Sequence, residues 1–334
     1  MPNVDMIDER VDRRAFLAAS VASVSTVMAT TASAADTAKP DLFPPEFRRE
    51  KIDTSGASIN VMVGGNGPPL LLLHGYPQTH VMWHKIAPQL ASDFSLVIPD
   101  LRGYGDSSKP LEGENHIAYS KRAMAQDQVE VMEKLGFTRF GMVAHDRGAR
   151  VGHRLALDHP NRLSKLVLMD ILPTLYLYRT SNHKFATAYW HWFFLIRPAP
   201  FPETLIANSS DFFLKSLIGG LIGGLIPNAI TPEAYGEYLR CFRDPGTIHG
   251  GCEDYRASAT IDLAHDEADI DHKIQCPLLV LWGEKGFLGP NYDFLSVWRE
   301  RALSVNGKGI PAGHFLPEEA PDLTLAEVCR FMQS

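Results

Sequence analysis

Cysteine is scarce in this 334-residue chain. The four present, Cys241, Cys252, Cys276 and Cys329, are too few for a disulfide scaffold, and their spacing matches no zinc motif. Cys241 and Cys252 could pair in an oxidising compartment, or all four could stay separate thiols. An excess of positive charge is missing too: 32 Lys and Arg against 39 Asp and Glu give a net charge of −7, which leaves no electrostatic footprint for nucleic acid. Beyond residue 35 no apolar run is long enough to span a bilayer. The stretch "LIGGLIGGLI" at 217–226 is short and broken by glycine pairs. There is no heptad, short repeat or long low-complexity tract. What remains is ordinary globular composition, long enough for one large α/β domain with an insertion or for two domains.

The first 35 residues are of another kind. "DRRAFLA" opens an Ala/Val/Ser-rich apolar run that leads through small residues to "TASAAD". Charged region, apolar stretch and small-residue exit are laid out as in a secretory signal. Arg13 and Arg14, followed by Phe16 and Leu17, resemble the twin-arginine type. Cleavage near Ala34 or Ala35 would leave roughly 300 residues. The expectation is a signal peptide over 1–35 and a periplasmic mature protein without stable membrane association. A disordered tail or a short amphipathic helix is the alternative.

After the leader, buried-strand patterns alternate with helical ones. "PLLLLH" (69–74), "SLVIPD" (95–100), "RFGMVAH" (139–145), "KLVLMD" (165–170) and "PLLVLWG" (277–283) are continuous apolar runs, as buried parallel strands require. Helical patterns cover 121–135 and 148–158. This alternation predicts an α/β fold with a mostly parallel central sheet and helices on both faces. Ligands of such sheets sit beyond the carboxyl ends of the strands, where His74, Asp100, Asp146 and Asp170 would gather. The rhythm breaks between 172 and 262, a region rich in aromatics and proline with no clear strand. It reads as a helical cap, inserted between core segments 36–171 and 263–334.

The stretch "VAHDRGAR" (143–150) carries the chemistry. A nucleophile elbow is a tight strand-to-helix turn of pattern Gly-x-nucleophile-x-Gly. Here it reads Ala144-His145-Asp146-Arg147-Gly148, with a carboxylate in place of the familiar hydroxyl. The triad order of such folds puts an acid and then a histidine after the nucleophile. Asp170 ends the next strand, Glu284 follows the fifth as a rival acid, and His314 in "PAGHFLP" is the late base. A carboxylate attacking an ester or amide would give a high-energy anhydride. The same carboxylate attacking an sp³ carbon with a good leaving group gives an ordinary ester, which histidine-activated water can hydrolyse. Asp146 therefore points to alkyl halides or epoxides.

Arg147 and Arg150 lie three apart at a helix start, where cations oppose the macrodipole. Two there imply an anion, and guanidinium forks suit a carboxylate. The predicted substrate is a small-molecule 2-haloacid. Pairing of Arg150 with a structural acid such as Asp106 is the alternative. Donors for the departing halide are available in "WHW" (190–192) and at Tyr255, although most cap aromatics must serve packing.

Taken together, "HGYPQ" (74–78), "DLRGYGDSSKP" (100–110), "HDRGAR" (145–150), "AYWHWFFL" (188–195), "IHGGCEDYRA" (248–257) and "GHF" (313–315) resemble the haloacetate (fluoroacetate) dehalogenases of the α/β-hydrolase fold. The likeness covers essentially the whole mature chain. It implies Asp146 as nucleophile, His314 as base and Asp170 as acid. It implies Arg147 and Arg150 as carboxylate clamps, His191, Trp192 and Tyr255 as halide site, and the backbone N–H groups of Tyr76 and Arg147 as oxyanion site. It implies no metal or organic cofactor, and a homodimer is common in the family. Three features depart from it. Ala144 and Ala149 replace elbow glycines, Leu221 stands where a tryptophan is expected, and the leader is atypical. An epoxide hydrolase with the same nucleophile, using Tyr255 with Tyr176 or Tyr178, and a non-catalytic small-ligand sensor on this fold are the rivals.

Overall fold

The structure, a computed structural model, describes residues 42–221 and 226–334. The signal peptide expected over 1–35 lies outside these residues, as does the side chain of Leu221. The strands are β1 (Arg48–Asp53), β2 (Ser58–Gly64), β3 (Pro69–Leu73), β4 (Ser95–Pro99), β5 (Phe140–His145), β6 (Leu163–Met169), β7 (Leu278–Gly283) and β8 (Val305–Ile310). They form one sheet in the order β1-β2-β4-β3-β5-β6-β7-β8. β1 pairs antiparallel with β2 and β2 antiparallel with β4, and every other pairing is parallel.

The central strands are the continuous apolar runs. Leu70 to Leu73 and all of β5 are buried, as expected where helices cover both faces. Helices Lys121–Lys134 and Asp146–Asp158 pack on each other. The first is capped by the Ser120 side chain, which accepts from the Ala123 N–H. The outer strands are of a different character. β1 reads "RREKID" and is mostly exposed, and charge along an edge strand discourages pairing with other chains. β8 reads "VNGKGI" and alternates in exposure.

Between β6 and β7 the chain is helical, from Thr174–Arg179 through Trp190–Leu195, Pro232–Phe242 and Pro245–Ser258 to Ile261–Ala268. Among the described residues no strand interrupts it. Ile261–Ala268 straddles residue 263 and packs on Thr174–Arg179. All four cysteines are free thiols, so Cys241 and Cys252 are not paired. Among the described residues no helix is long and apolar enough to cross a membrane.

Candidate active site

β5 ends at His145, and the helix Asp146–Asp158 begins at once. Asp146 takes the strain of that turn with a φ of 47°, a left-handed conformation uncommon for a side-chain-bearing residue and frequent at functional sites. Two glycines make room for it. A Cβ on Gly148 would lie 2.3 Å from the His74 carbonyl oxygen, and one on Gly75 would lie 2.4 Å from the Asp146 Cβ. Ala144 and Ala149, by contrast, are both fully buried in the hydrophobic core, so their methyls have space and the turn forms without glycine there.

The four residues at the carboxyl edge divide into two pairs. His74 and Asp100 hold loops. The His74 Nδ1–H donates to the Gly75 carbonyl at 3.0 Å while Nε2 accepts from the Leu101 N–H at 3.0 Å. Asp100 accepts from the His80 N–H and ring at 2.8 Å each and from Asn60 Nδ2 at 2.8 Å. Asp146 and Asp170 meet His314. The His314 Nδ1–H donates to Asp170 Oδ2 at 2.6 Å, and Nε2 stands 3.7 Å from Asp146 Oδ2. Asp170 is itself oriented by the Gly283 N–H, which donates to its Oδ1 at 3.0 Å. Glu284 is exposed to solvent, which leaves Asp170 as the acid on the histidine. The loop bearing His314 is fixed by Glu319, whose carboxylate accepts from the Gly313 and Phe315 N–H groups at 2.9 Å each. The His145 ring donates from Nε2 to the His314 carbonyl at 2.7 Å, and burial holds it neutral, with a pKa pushed down to about 3.

Burial alone would raise the Asp146 carboxyl, but His314, His145, Arg147 and Arg150 together hold it below the usual carboxylate range. Its Oδ1 accepts from the Tyr76 N–H at 2.9 Å. The Arg147 N–H sits in the first helical turn, where amides have no intrahelical acceptor. Oδ2 is too far from His314 for a direct hydrogen bond, so one carboxylate oxygen is tethered by the Tyr76 N–H and the other is not held by His314.

The two arginines are held differently. Arg147, fully buried, gives Nε at 3.0 Å and Nη2 at 2.7 Å to the Asp254 carboxylate, and Nη1 has no partner. Arg150 gives Nη1 to the Leu172 carbonyl at 3.1 Å and to Thr174 Oγ1 at 2.9 Å, and its Nε has no partner. A structural acid is thus present, but it is Asp254 on Arg147. Asp106, the acid considered for Arg150, takes hydrogen bonds from Arg49 and Arg240. Sequence reasoning missed Asp254 although it stands beside Tyr255.

His191, Trp192 and Tyr255 come together above this helix. The Tyr255 ring lies 5.8 Å from the His191 ring and 6.2 Å from that of Trp192. Burial drives the His191 pKa down to about 3, and its Nδ1 has no partner, so a neutral imidazole faces the site with donor capacity in hand. Each arginine stacks on one of the aromatics: the Arg147 guanidinium carbon is 4.2 Å from the Tyr255 ring centre and that of Arg150 is 4.7 Å from the Trp192 ring centre. Of the tyrosines considered as acid partners, Tyr178 packs on Trp192 at 5.3 Å with its hydroxyl unpartnered, whereas Tyr176 packs on Tyr292 at 6.2 Å. Among the described residues no group of three or more His, Cys, Asp or Glu could hold a metal ion.

A family model for the alpha/beta hydrolase fold matches residues 68–321. The chain is 44% identical to fluoroacetate dehalogenase of Burkholderia sp over 86% of this chain and 94% of that one. It is 32% identical to soluble epoxide hydrolase of Corynebacterium sp. (strain C12), over 86% and 97% respectively. A solved structure from Nostoc sp PCC 7120, assigned provisionally to the α/β hydrolases, matches with a TM-score of 0.84 and 59% identity, covering 86% of this chain and 98% of its own.

Proposed function

The chain belongs to the α/β-hydrolase fold family, in its haloacetate dehalogenase group, and on that premise we propose that it hydrolyses short 2-haloacids to 2-hydroxy acids and halide through an ester on Asp146. One observation carries the choice of substrate. Arg147 and Arg150, both buried against the nucleophile, keep unpartnered N–H groups at Nη1 and Nε. Buried donors without acceptors are costly, and a substrate carboxylate satisfies both while presenting its α-carbon to Asp146. An epoxide has no anion to offer them.

The geometry supports the following steps. The free Oδ2 of Asp146 attacks the α-carbon in line and halide departs toward His191, Trp192 and Tyr255, whose N–H and O–H groups stabilise it. Oδ1, already on the Tyr76 N–H, becomes the ester carbonyl oxygen. The charge that develops when water attacks that carbonyl is therefore met by a donor in place beforehand, with the Arg147 N–H beside it. His314, aligned by Asp170, takes the proton from water. The tetrahedral adduct then collapses and its bond to the substrate oxygen breaks. The remaining proton of the attacking water passes to that oxygen so that the hydroxy acid leaves, Asp146 is again a carboxylate, and the proton on His314 goes to solvent.

The two half-reactions should separate with pH. Burial alone would lower the His314 pKa, but the hydrogen bond and charge of Asp170, with Asp146 and Glu319, raise it above the ordinary histidine value. Asp146 stays ionised well below that range. Ester formation needs Asp146 ionised, and ester hydrolysis needs His314 neutral. As pH falls, hydrolysis fails first and the ester accumulates. The transition lies below the free-enzyme His314 pKa, because esterification removes the charge of Asp146. Mass spectrometry of enzyme quenched during turnover checks this: the ester fraction rises on the acid side, and a fraction independent of pH would contradict the scheme.

Halide release from fluoroacetate and chloroacetate, run beside an epoxide, tests the substrate class. Halide from either acid is expected. Diol from the epoxide with no halide from the acids would mean that the arginines serve another purpose. Export by the leader is part of the same proposal, and fractionation should find the processed protein in the periplasm. An intact N-terminus confined to the cytoplasm would refute it.

A further inference from the structure

We propose that Asp254 is a positioning residue for substrate-carboxylate recognition: from the cap it fixes the Arg147 guanidinium of the core, leaving Nη1 for the anion. The inference rests on the haloacid function proposed above.

Asp254 lies in the cap helix Pro245–Ser258 and is fully buried. Its carboxylate takes the Nε and Nη2 edge of Arg147 side-on, at 3.0 and 2.7 Å. A two-point contact of this kind fixes the guanidinium plane as a single contact does not. Nη2 is also held by the Asp254 carbonyl oxygen at 2.8 Å and by Ser258 Oγ. With that edge consumed, the one nitrogen of Arg147 left without a partner is Nη1. The Tyr255 ring covers one face of the same guanidinium at 4.2 Å. The clamp is thus built in advance, and little ordering remains for the substrate to impose.

An acid so close to the clamp would ordinarily cancel its charge. Here the acid is shared. Lys121, also buried, donates Nζ to Asp254 Oδ1 and stands 3.6 Å from Asp262, and the Tyr104 hydroxyl donates to Asp254 Oδ2 at 2.6 Å. Burial alone would raise the Asp254 carboxyl, but Arg147 and Lys121 hold it well below its ordinary range, so it remains an anion. Lys121 draws part of that charge away from Arg147. Arg150, in contrast, is oriented by the neutral acceptors Leu172 O and Thr174 Oγ1.

The experiment compares Asp254→Asn, Asp254→Glu and Lys121→Met with the wild type in chloroacetate turnover and in acetate binding by calorimetry. Acetate has the carboxylate and no leaving group. Asp254→Asn is expected to raise KM for chloroacetate and Kd for acetate by about tenfold or more, with kcat within about threefold of wild type. Asp254→Glu should recover part of the affinity, and Lys121→Met should weaken acetate in the same direction by less. A brace that only holds the cap would instead lower kcat and leave acetate affinity at the wild-type value, which would overturn the proposal. If Asp254→Asn does not fold, unchanged acetate affinity in Lys121→Met overturns it. A wild type that binds acetate in an Asp254-dependent way but releases no halide would sink the haloacid function and leave the positioning role standing.

Discussion

Asp146→Asn is expected to lower halide release by about 10⁴-fold or more. An amide oxygen is a far weaker nucleophile than a carboxylate, and the neighbouring acids are already engaged or exposed: Asp170 with His314 and Gly283, Asp254 with Arg147 and Lys121, and Glu284 facing solvent. The variant should still fold. Asparagine accepts the left-handed backbone that position 146 demands, and its side-chain oxygen can still take the Tyr76 N–H. Acetate should still bind, because Arg147 and Arg150 are untouched. Halide release measured alongside acetate affinity separates lost chemistry from lost structure. Residual turnover of a few per cent would show that water attacks the substrate directly.

The second large effect concerns His314. His314→Asn removes the proposed base but leaves Asp146 ionised, because Arg147 and Arg150 still favour the anion. Ester formation requires no proton transfer to His314, so each site should release one halide in a burst and then stop. The enzyme should gain the mass of one carboxymethyl group on the peptide carrying Asp146. The acid Asp170 and the Glu319 anchors on Gly313 and Phe315 remain to hold the loop. A variant that is dead in both halide release and adduct formation would mean that His314 acts in the first step, contrary to the two-step scheme.

What could be read from residues alone follows their physics. The central strands announce themselves because burial on both faces forces continuous apolar runs such as 70–73 and 140–145. The elbow is legible because it joins such a run to a helix, and His314 because its place in the chain order is constrained. The outer strands are hidden for the opposite reason. β1 and β8 are edges, so β1 carries charge and β8 carries glycines, where Gly307 is hemmed by Leu295, Val280 and Trp282. The resemblance selects Asp170 over Glu284; pattern alone leaves both open, because both follow strands of similar character and only Asp170 turns inward. Asp254 was unreadable for a related reason. Its partner Arg147 is 107 positions away, and no local periodicity encodes a contact between cap and core. Pairing with a structural acid, the alternative for Arg150, applies instead to Arg147, whose partner is Asp254.

The most direct test is a single turnover of chloroacetate by excess enzyme in oxygen-18 water. If Asp146 Oδ2 attacks the α-carbon, the hydroxyl oxygen of the first glycolate comes from the enzyme and is unlabelled, while the heavy oxygen stays in the Asp146 carboxylate. Labelled glycolate in that first turnover would mean that water displaces the halide itself, and Asp146 would then be a base rather than a nucleophile.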